Sequence, residues 1–203
     1  MAVEERIKVW DIAVRVFHWT LLVVFFVAYF SGDEEDQLHI YAGYGVLALV
    51  AFRIVWGFVG TQHARFADFV HGPAATLRYV RSLFSSRPLH YLGHNPLGGW
   101  MVVALLLSLI GTCWSGLEAY GQEGHGPLAQ HEGLLISSAS ANDEEDGERK
   151  GEAEADEFWG EIHEAFSNAT LVLVFLHVAG ILIASAIHRE NLVRSMITGY
   201  KKR

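Results

Sequence analysis

The stretch 162–187, IHEAFSNATLVLVFLHVAGILIASAI, decides how this chain is organised. It is an apolar run of 26 residues in which Glu164 is the only acidic residue and no Lys or Arg occurs. A helix of that length extends about 39 Å, which exceeds the roughly 30 Å hydrocarbon core of a bilayer. Two histidines, His163 and His177, lie within it. Because an ionisable side chain at membrane depth costs free energy unless it has a partner, both are candidate functional residues.

Three more apolar runs of spanning length occur, at about 14–30, 38–59 and 96–117. Asn95 and Pro96 open the third run as a helix N-cap and first helical residue would. The first run ends in YFSGDEED rather than in a small-residue cleavage site, so we expect it to be a retained span rather than a signal peptide. We predict an all-α integral membrane four-helix bundle that occupies residues 1–203 as one domain.

Basic residues predict the orientation of the bundle. The connection between the first and second runs and the one between the third and fourth runs together contain only Arg149 and Lys150. Three other segments hold nearly all the remaining Lys and Arg. These segments are the N-terminal lead, the connection between the second and third runs, and the C-terminal tail, with Arg6, Lys8, Arg15, Arg65, Arg78, Arg81, Arg87, Arg189, Arg194, Lys201, Lys202 and Arg203. The positive-inside rule then places both termini in the cytoplasm.

Two connections have a character of their own. Residues 118–161 contain NDEEDGERKGEAEADE, and we expect them to form a solvated, disordered loop outside the cytoplasm. A docking surface for a basic partner is the alternative. On the cytoplasmic side, GPAATLRYVRSLF at 72–84 predicts a short helix in the membrane interface, with Leu77, Val80 and Phe84 facing lipid.

Four of the eleven histidines lie at membrane depth, and their positions suggest two pairs. His163 and His177 are 14 residues apart, hence within roughly 40° of one helix face and about 21 Å apart along the axis. His39 opens the second span from the outside, at the level of His163. His18 lies one turn into the first span from the cytoplasm, at the level of His177. We therefore predict the pairs His18 with His177 and His39 with His163.

Paired imidazoles on facing helices are what a haem iron needs, one axial ligand on each face. The chain has one cysteine, Cys113, and no C-x-x-C-H motif, so haem cannot be attached covalently. We predict two haem b groups, each held by two histidines, about 20 Å apart. Such iron has no open coordination position, which suits electron transfer. We predict no catalytic acid or base.

Other residues lie where they could contact a haem. Arg15 is three residues before His18, and Arg53 is 14 residues after His39, so both are predicted propionate partners. Arg15 could instead be an interfacial arginine that reaches toward water. Gly43, with Gly45, would let a flat porphyrin approach the backbone, although such glycines also serve helix packing. Among the other histidines, His94 in YLGHNP stands out because it lies beside a helix N-terminus.

Several phrases together resemble the prokaryotic di-haem cytochrome b family, which comprises the bacterial cytochrome b(561) group and the b-type subunits of nickel–iron hydrogenases. They are VWDIAVRVFHW, HIYAGYGVLALVAFRIVWGFVG, YLGHNPLGG, FLHVAG and SMITGYKKR. The resemblance covers nearly the whole chain except the acidic loop. It implies a four-helix protein of the bacterial inner membrane with two haems b, whose iron ligands are His18, His39, His163 and His177. It also implies exchange of electrons with quinones or with a redox partner protein.

The leading hypothesis is therefore a di-haem cytochrome of a respiratory chain that relays electrons between the quinone pool and a redox partner. One alternative is a stand-alone quinol oxidoreductase with a diffusible acceptor such as superoxide. Others are a haem-free metal transporter, whose inverted repeats or broken helices are not found here, and a non-redox membrane anchor. We expect contact with lipid and none with nucleic acid, and a homodimer stays open.

Overall fold

The computed structural model describes residues 6–32, 37–85, 87–122, 124–128 and 145–202. Four long helices are apolar enough to cross a membrane, and the stretch of the fourth that qualifies is Glu157–His188. In chain order the elements are β1 (Arg6–Lys8), α1 (Ile12–Phe30), α2 (Gln37–Val59), a 3-10 turn (Gln62–Ala64), α3 (Phe66–Phe69), α4 (Pro73–Leu83), α5 (Pro96–Gln122), α6 (Glu145–His188), α7 (Leu192–Thr198) and β2 (Tyr200–Lys202). The predicted all-α architecture with four spans is confirmed.

The predicted bounds of the acidic loop, 118–161, extend into the helices on either side of it. Helix α5 continues to Gln122 and α6 begins at Glu145, so both ends of that segment are helical. The sequence from 145 to 156, EDGERKGEAEAD, is rich in Glu, Ala, Lys and Arg, which favour helix even when they are charged and solvated. The expectation of disorder is therefore wrong for residues 118–122 and 145–161. Its remainder, at residue 123 and 129–144, lies outside the described residues.

Two compact units make up the chain. The first combines Met1–Leu106 with Val172–Arg203, and the second is Leu107–Leu171. In the first unit α1 packs against α2, where Gly45 allows a close approach because a Cβ there would lie 3.1 Å from Val24. The large apolar side chains of the outer faces stay exposed, for example Val23 and Phe58, as expected for residues that face lipid.

The short helix predicted at 72–84 is present as α4, and its place in the membrane interface stays a prediction. Its Leu77 and the Phe84 that follows it are exposed, whereas Tyr79 is buried. The helix begins at Pro73, which suits a first helical residue because the missing N–H would be unpaired there in any case. An exposed apolar edge beside one buried aromatic is the arrangement expected of a helix lying in the membrane surface.

The first and last described segments are joined. Strand β1 pairs with β2 in antiparallel register, Ile7 opposite Lys201, and the Gly199 carbonyl accepts hydrogen bonds from Val9 and Trp10 at 2.9 and 3.1 Å. Gly199 ends α7 with a φ of 87°, a left-handed conformation that favours glycine. These segments therefore leave the membrane-spanning helices on one side.

A charged cluster lies beside this strand pair. The buried Lys201 ammonium is 3.5 Å from Glu190, which also bonds His90 at 2.8 Å. Burial lowers the pKa of Lys201, while Glu190 opposes that shift. Lys201 also donates to the Tyr91 carbonyl at 3.4 Å. Lys201, one of the basic residues of the tail, therefore also pairs with Glu190 within the fold.

The second unit is built on close contact between α5 and α6. Gly111 faces the Phe166 ring so tightly that a Cβ would lie 2.5 Å from it. Beside it, the buried Ser108 and Thr170 hydroxyls are 2.7 Å apart. Small residues and mutual hydroxyl bonds are the usual means by which helices associate where lipid removes any hydrophobic driving force.

Asp11 connects α1 to the end of α2. Its carboxylate caps α1 by accepting from the Val14 amide at 2.8 Å, and it also accepts from Trp56 at 3.2 Å and from the Thr61 hydroxyl. Burial raises the pKa of Asp11, but these hydrogen bonds outweigh it and hold the pKa below its ordinary value of 3.8. A carboxyl whose pKa is lowered on folding stabilises the fold above its ordinary pKa, and it loses that contribution as pH falls through the folded value.

We expect Asp11→Ala to lower the free energy of unfolding by about 0.5–2 kcal/mol near neutral pH, because the cap is lost. Thermal unfolding of the detergent-solubilised protein measures this. The difference from wild type should shrink as pH falls below the ordinary pKa of 3.8 and through the lowered pKa of the folded carboxyl. Asp11→Asn is the matched control, since it keeps an oxygen acceptor and should show a smaller loss. An Asp11→Ala difference that is independent of pH would contradict this account.

Gly99 in the first turn of α5 is required by packing. A Cβ there would lie 2.2 Å from the Phe69 carbonyl oxygen, a backbone atom that cannot rotate away. We expect Gly99→Ala to destabilise the protein by about 1–3 kcal/mol through overpacking. Gly98→Ala is the control because its Cβ would meet Asn95 at an ordinary 3.4 Å. Equal melting temperatures for the two variants would argue against this packing.

Candidate functional site

His18 of α1 and His177 of α6 lie near one another in the first unit. Their ring centroids are 6.4 Å apart and the ring planes are inclined by 50°. A direct N–H···N hydrogen bond of about 2.9 Å would bring the centroids to roughly 5 Å. An imidazole nitrogen lies about 2.0–2.1 Å from a bound metal and its ring centroid roughly 1 Å farther, so two rings that share one metal have centroids about 6 Å apart. The observed spacing therefore fits a single atom held between the two rings.

The surroundings of this pair contain polar atoms that nothing in the protein satisfies. Within the described residues, four buried side-chain nitrogens have no hydrogen-bond partner, and all belong to the first unit: Arg15 Nε, His18 Nδ1, Arg53 Nη1 and His94 Nδ1. A buried polar group without a partner costs about 1–3 kcal/mol, so native proteins seldom keep one. Two of the four atoms belong to cationic arginines, so an anion such as a haem propionate would suit these donors.

Arg53 is the most enclosed of these residues. It is 4% exposed, and its guanidinium carbon lies 5.2 and 5.6 Å from the ring centroids of Phe66 and Phe69. Aromatic faces attract the cation without occupying its N–H donors, so Nη1 keeps its capacity to donate. Arg53, a propionate partner predicted from the sequence, therefore lies against two aromatic rings, and its Nη1 has no hydrogen-bond partner.

Arg15 has a second task that sequence reasoning missed. Its Nη2 donates to the Ile197 carbonyl near the end of α7, while Nε is buried without a partner. The side chain therefore holds the C-terminal helix against α1.

His94 belongs to this environment although it was only noted for its place beside a helix N-terminus. Its ring lies 4.7 Å from both Trp10 and Phe69, centroid to centroid. Burial, followed by the charge of Arg53, lowers the pKa of His94 to about 3, so the ring is neutral at physiological pH. The residue pattern could not reveal this, because Trp10 and Phe69 come from two segments that are distant from His94 in the sequence.

His39, at the start of α2, is held by one backbone contact. Its Nδ1 is 2.9 Å from the Ala28 carbonyl in the last turn of α1. A carbonyl can only accept, so Nδ1 carries the proton and the lone pair of the neutral ring is on Nε2. The Ala28 carbonyl is one of those that a helix end leaves without an intrahelical partner.

His163, in the second unit, is held in the same way. Its Nδ1 is 2.9 Å from the Thr112 carbonyl of α5, which again assigns the proton to Nδ1. A ligating histidine usually donates its other ring N–H to a backbone carbonyl or a carboxylate, and that contact fixes its tautomer. In both His39 and His163 this contact leaves Nε2 as the ring nitrogen that carries the lone pair. Because they belong to different units, their pairing stays a prediction.

The two glycines singled out for haem contact differ. A Cβ on Gly43 would meet nothing within 4 Å, so the space beside it is open to a flat group. Gly45 instead faces Val24 and serves the packing of α1 on α2. The open space at Gly43 is therefore compatible with porphyrin contact, whereas Gly45 serves helix packing.

Comparison with known proteins identifies the group to which these features belong. A family model described as prokaryotic cytochrome b561 matches residues 9–199. A protein described as a probable Ni/Fe-hydrogenase B-type cytochrome subunit, from Rhizobium leguminosarum bv. viciae, is 23% identical over 227 residues, which cover 96% of this chain and 88% of the relative. No solved structure matches. The family match spans all four apolar helices, and with it the chain, a multi-pass membrane protein, belongs to the prokaryotic cytochrome b561 family.

Proposed function

We propose that this protein is a di-haem electron-transfer cytochrome in which His18 and His177 hold one haem b and His39 and His163 hold a second. The observation that carries the proposal is the 6.4 Å spacing of the His18 and His177 rings, together with four unsatisfied buried nitrogens, one of which is His18 Nδ1. Bound haem would supply the one-electron couple of its iron. The chain supplies ligands, spacing and charge.

The inner pair would leave no open position on the metal. His18 and His177 come from the first and last long helices, and both are half-buried between them. With both imidazoles bound to the haem, oxygen would have no place to bind, so the site would favour electron transfer over oxygen chemistry. The alternative of a haem-free metal transporter accounts less well for the unsatisfied arginine atoms.

Propionate binding is the proposed role of Arg53 and Arg15, with Gly43 leaving room for the macrocycle. Arg53 Nη1 and Arg15 Nε are buried donors without partners in the described protein. Charge-assisted hydrogen bonds from arginine to carboxylate are among the strongest that side chains form. Their positive charge would also offset the negative charge that two propionates bring into a poorly solvated region.

The proposed location is the bacterial inner membrane, with both termini in the cytoplasm. Pairing of β1 with β2 supports a shared side for the two terminal segments. The concentration of Lys and Arg in these segments and in the 60–95 connection supports the cytoplasm as that side.

Quinone and a redox partner protein are the proposed electron donor and acceptor, in either direction. The relative's description as a hydrogenase subunit supports a hydrogenase-like partner. A stand-alone quinol oxidoreductase remains the second candidate, which no specific contact favours. Quinol oxidation by the purified chain, with no partner present, would distinguish it from a relay.

We expect purified wild-type protein to contain two haems b per chain and His177→Ala to contain one, because a single axial histidine rarely retains a b-type haem. A pyridine haemochrome assay with protein quantification gives the ratio. His125→Ala, an exposed position outside the spans, is the control and should keep both haems. Two haems in His177→Ala, or a colourless wild type after haem supplementation, would refute the assignment.

We expect Arg53→Gln to lower the midpoint potential of one haem by roughly 50–100 mV, because loss of a nearby positive charge disfavours the reduced, more negative state. A spectroscopic redox titration measures this shift. Arg53→Lys keeps the charge but loses the planar fork, so its potential should lie between those of Arg53→Gln and wild type. Unchanged potentials in Arg53→Gln would place the propionates elsewhere.

A further inference from the structure

Helix α5 contributes no histidine to the proposed ligand set, yet it makes polar contacts with His163. Besides the Thr112 carbonyl at 2.9 Å, the Ser115 hydroxyl oxygen lies 3.4 Å from the same ring nitrogen. Ser115 is 1% exposed, so water does not compete for either contact. The ring N–H therefore faces two acceptors, both from neighbouring positions of one helix.

The direction of the Ser115 hydroxyl follows from its other contacts. Its oxygen is 2.8 Å from the Gly111 carbonyl and 3.1 Å from the Thr112 carbonyl, and both can only accept. The hydroxyl proton is thus directed toward its own helix backbone, the usual back-bonding of serine in a helix. Its lone pairs remain to accept from His163 Nδ1–H. Ser115 supplements the Thr112 carbonyl as an acceptor for that proton.

Gly116 provides the space in which the His163 ring lies. A Cβ at this position would lie 2.8 Å from His163 Cε1 and 3.0 Å from Nδ1. Real Cβ atoms do not come that close, so any side chain here would turn the imidazole away from Thr112. The absence of a side chain at Gly116 is what allows the ring to lie against the α5 backbone.

We propose that Thr112, Ser115 and Gly116 form a positioning element that sets the tautomer and rotation of His163, and through them the reduction potential of the haem that His163 binds. The proposal rests on the proposed function, since it assumes that His163 is an iron ligand. Donation from Nδ1–H raises the basicity of Nε2 and so stabilises ferric over ferrous iron. Each acceptor that α5 provides therefore lowers the potential of that haem.

The test uses the full-length protein purified with its haem, and it compares two variants with two controls. Ser115→Ala removes the supplementary acceptor and keeps the helix, so two haems remain, the potential of one rises, and its low-spin ferric EPR signal shifts. Ser108→Ala removes another buried hydroxyl of α5, one that bonds Thr170 rather than His163. Both potentials should be unchanged in that control.

Gly116→Ala displaces the ring, so the haem content falls from two to one per chain or the EPR signal of one haem changes. Gly111→Ala is its control, because a Cβ there meets the Phe166 ring at 2.5 Å and disturbs helix packing without touching His163. The control should keep two haems with unchanged EPR signals. If both controls alter the same haem as strongly as the test variants, the role of α5 is structural only and the inference is overturned.

His163→Ala separates failure of this inference from failure of the proposed function. Retention of both haems in His163→Ala shows that His163 is not a ligand and refutes the ligand assignment itself. Loss of one haem in His163→Ala, with wild-type potentials and EPR signals in Ser115→Ala and Gly116→Ala, overturns the positioning role alone. Loss of one haem together with the selective shifts described above supports both.

Discussion

The structure depends on the cost of placing a polar nitrogen where water does not reach. Imidazoles at membrane depth occur in two arrangements in the described structure. His39 and His163 each donate from Nδ1 to a carbonyl of a neighbouring helix. His18 and His177 face one another at a spacing too long for a direct hydrogen bond and suited to a shared atom. The first arrangement fixes the orientation of the ring, and the second would leave room for the haem iron that we propose.

The same cost applies to the buried nitrogens of the first unit that have no hydrogen-bond partner. These nitrogens belong to two arginines and two histidines, and Arg53 is enclosed by aromatic rings that leave its donors unused. A folded chain that buries such groups without partners would lose several kcal/mol. Binding of a haem with its carboxylates would recover that free energy, so the cofactor would act as part of the core.

Backbone geometry does much of the positioning in both units. Carbonyls of Ala28 and Thr112 orient histidines, the Gly199 carbonyl joins the first and last segments, and Gly116 makes room for a ring. Contacts of this kind tolerate many side-chain changes, because the acceptor belongs to the main chain. That tolerance is consistent with a relative that shares 23% identity over nearly the whole chain.

The sequence by itself determined the membrane spans, because length and hydropathy are local properties and the bilayer selects for them directly. It also singled out Arg53 and the four histidines, since a polar residue within an apolar run is visible without a structure. It overestimated the acidic loop, because charge was read as disorder where Glu, Ala and Lys favour helix. Only the tertiary structure decided that Trp10 and Phe69 enclose His94, that Arg15 holds the α7 helix, and that Gly116 seats His163. These contacts join residues far apart in the chain. The periodicity of one helix does not show which side chains of another segment pack against it.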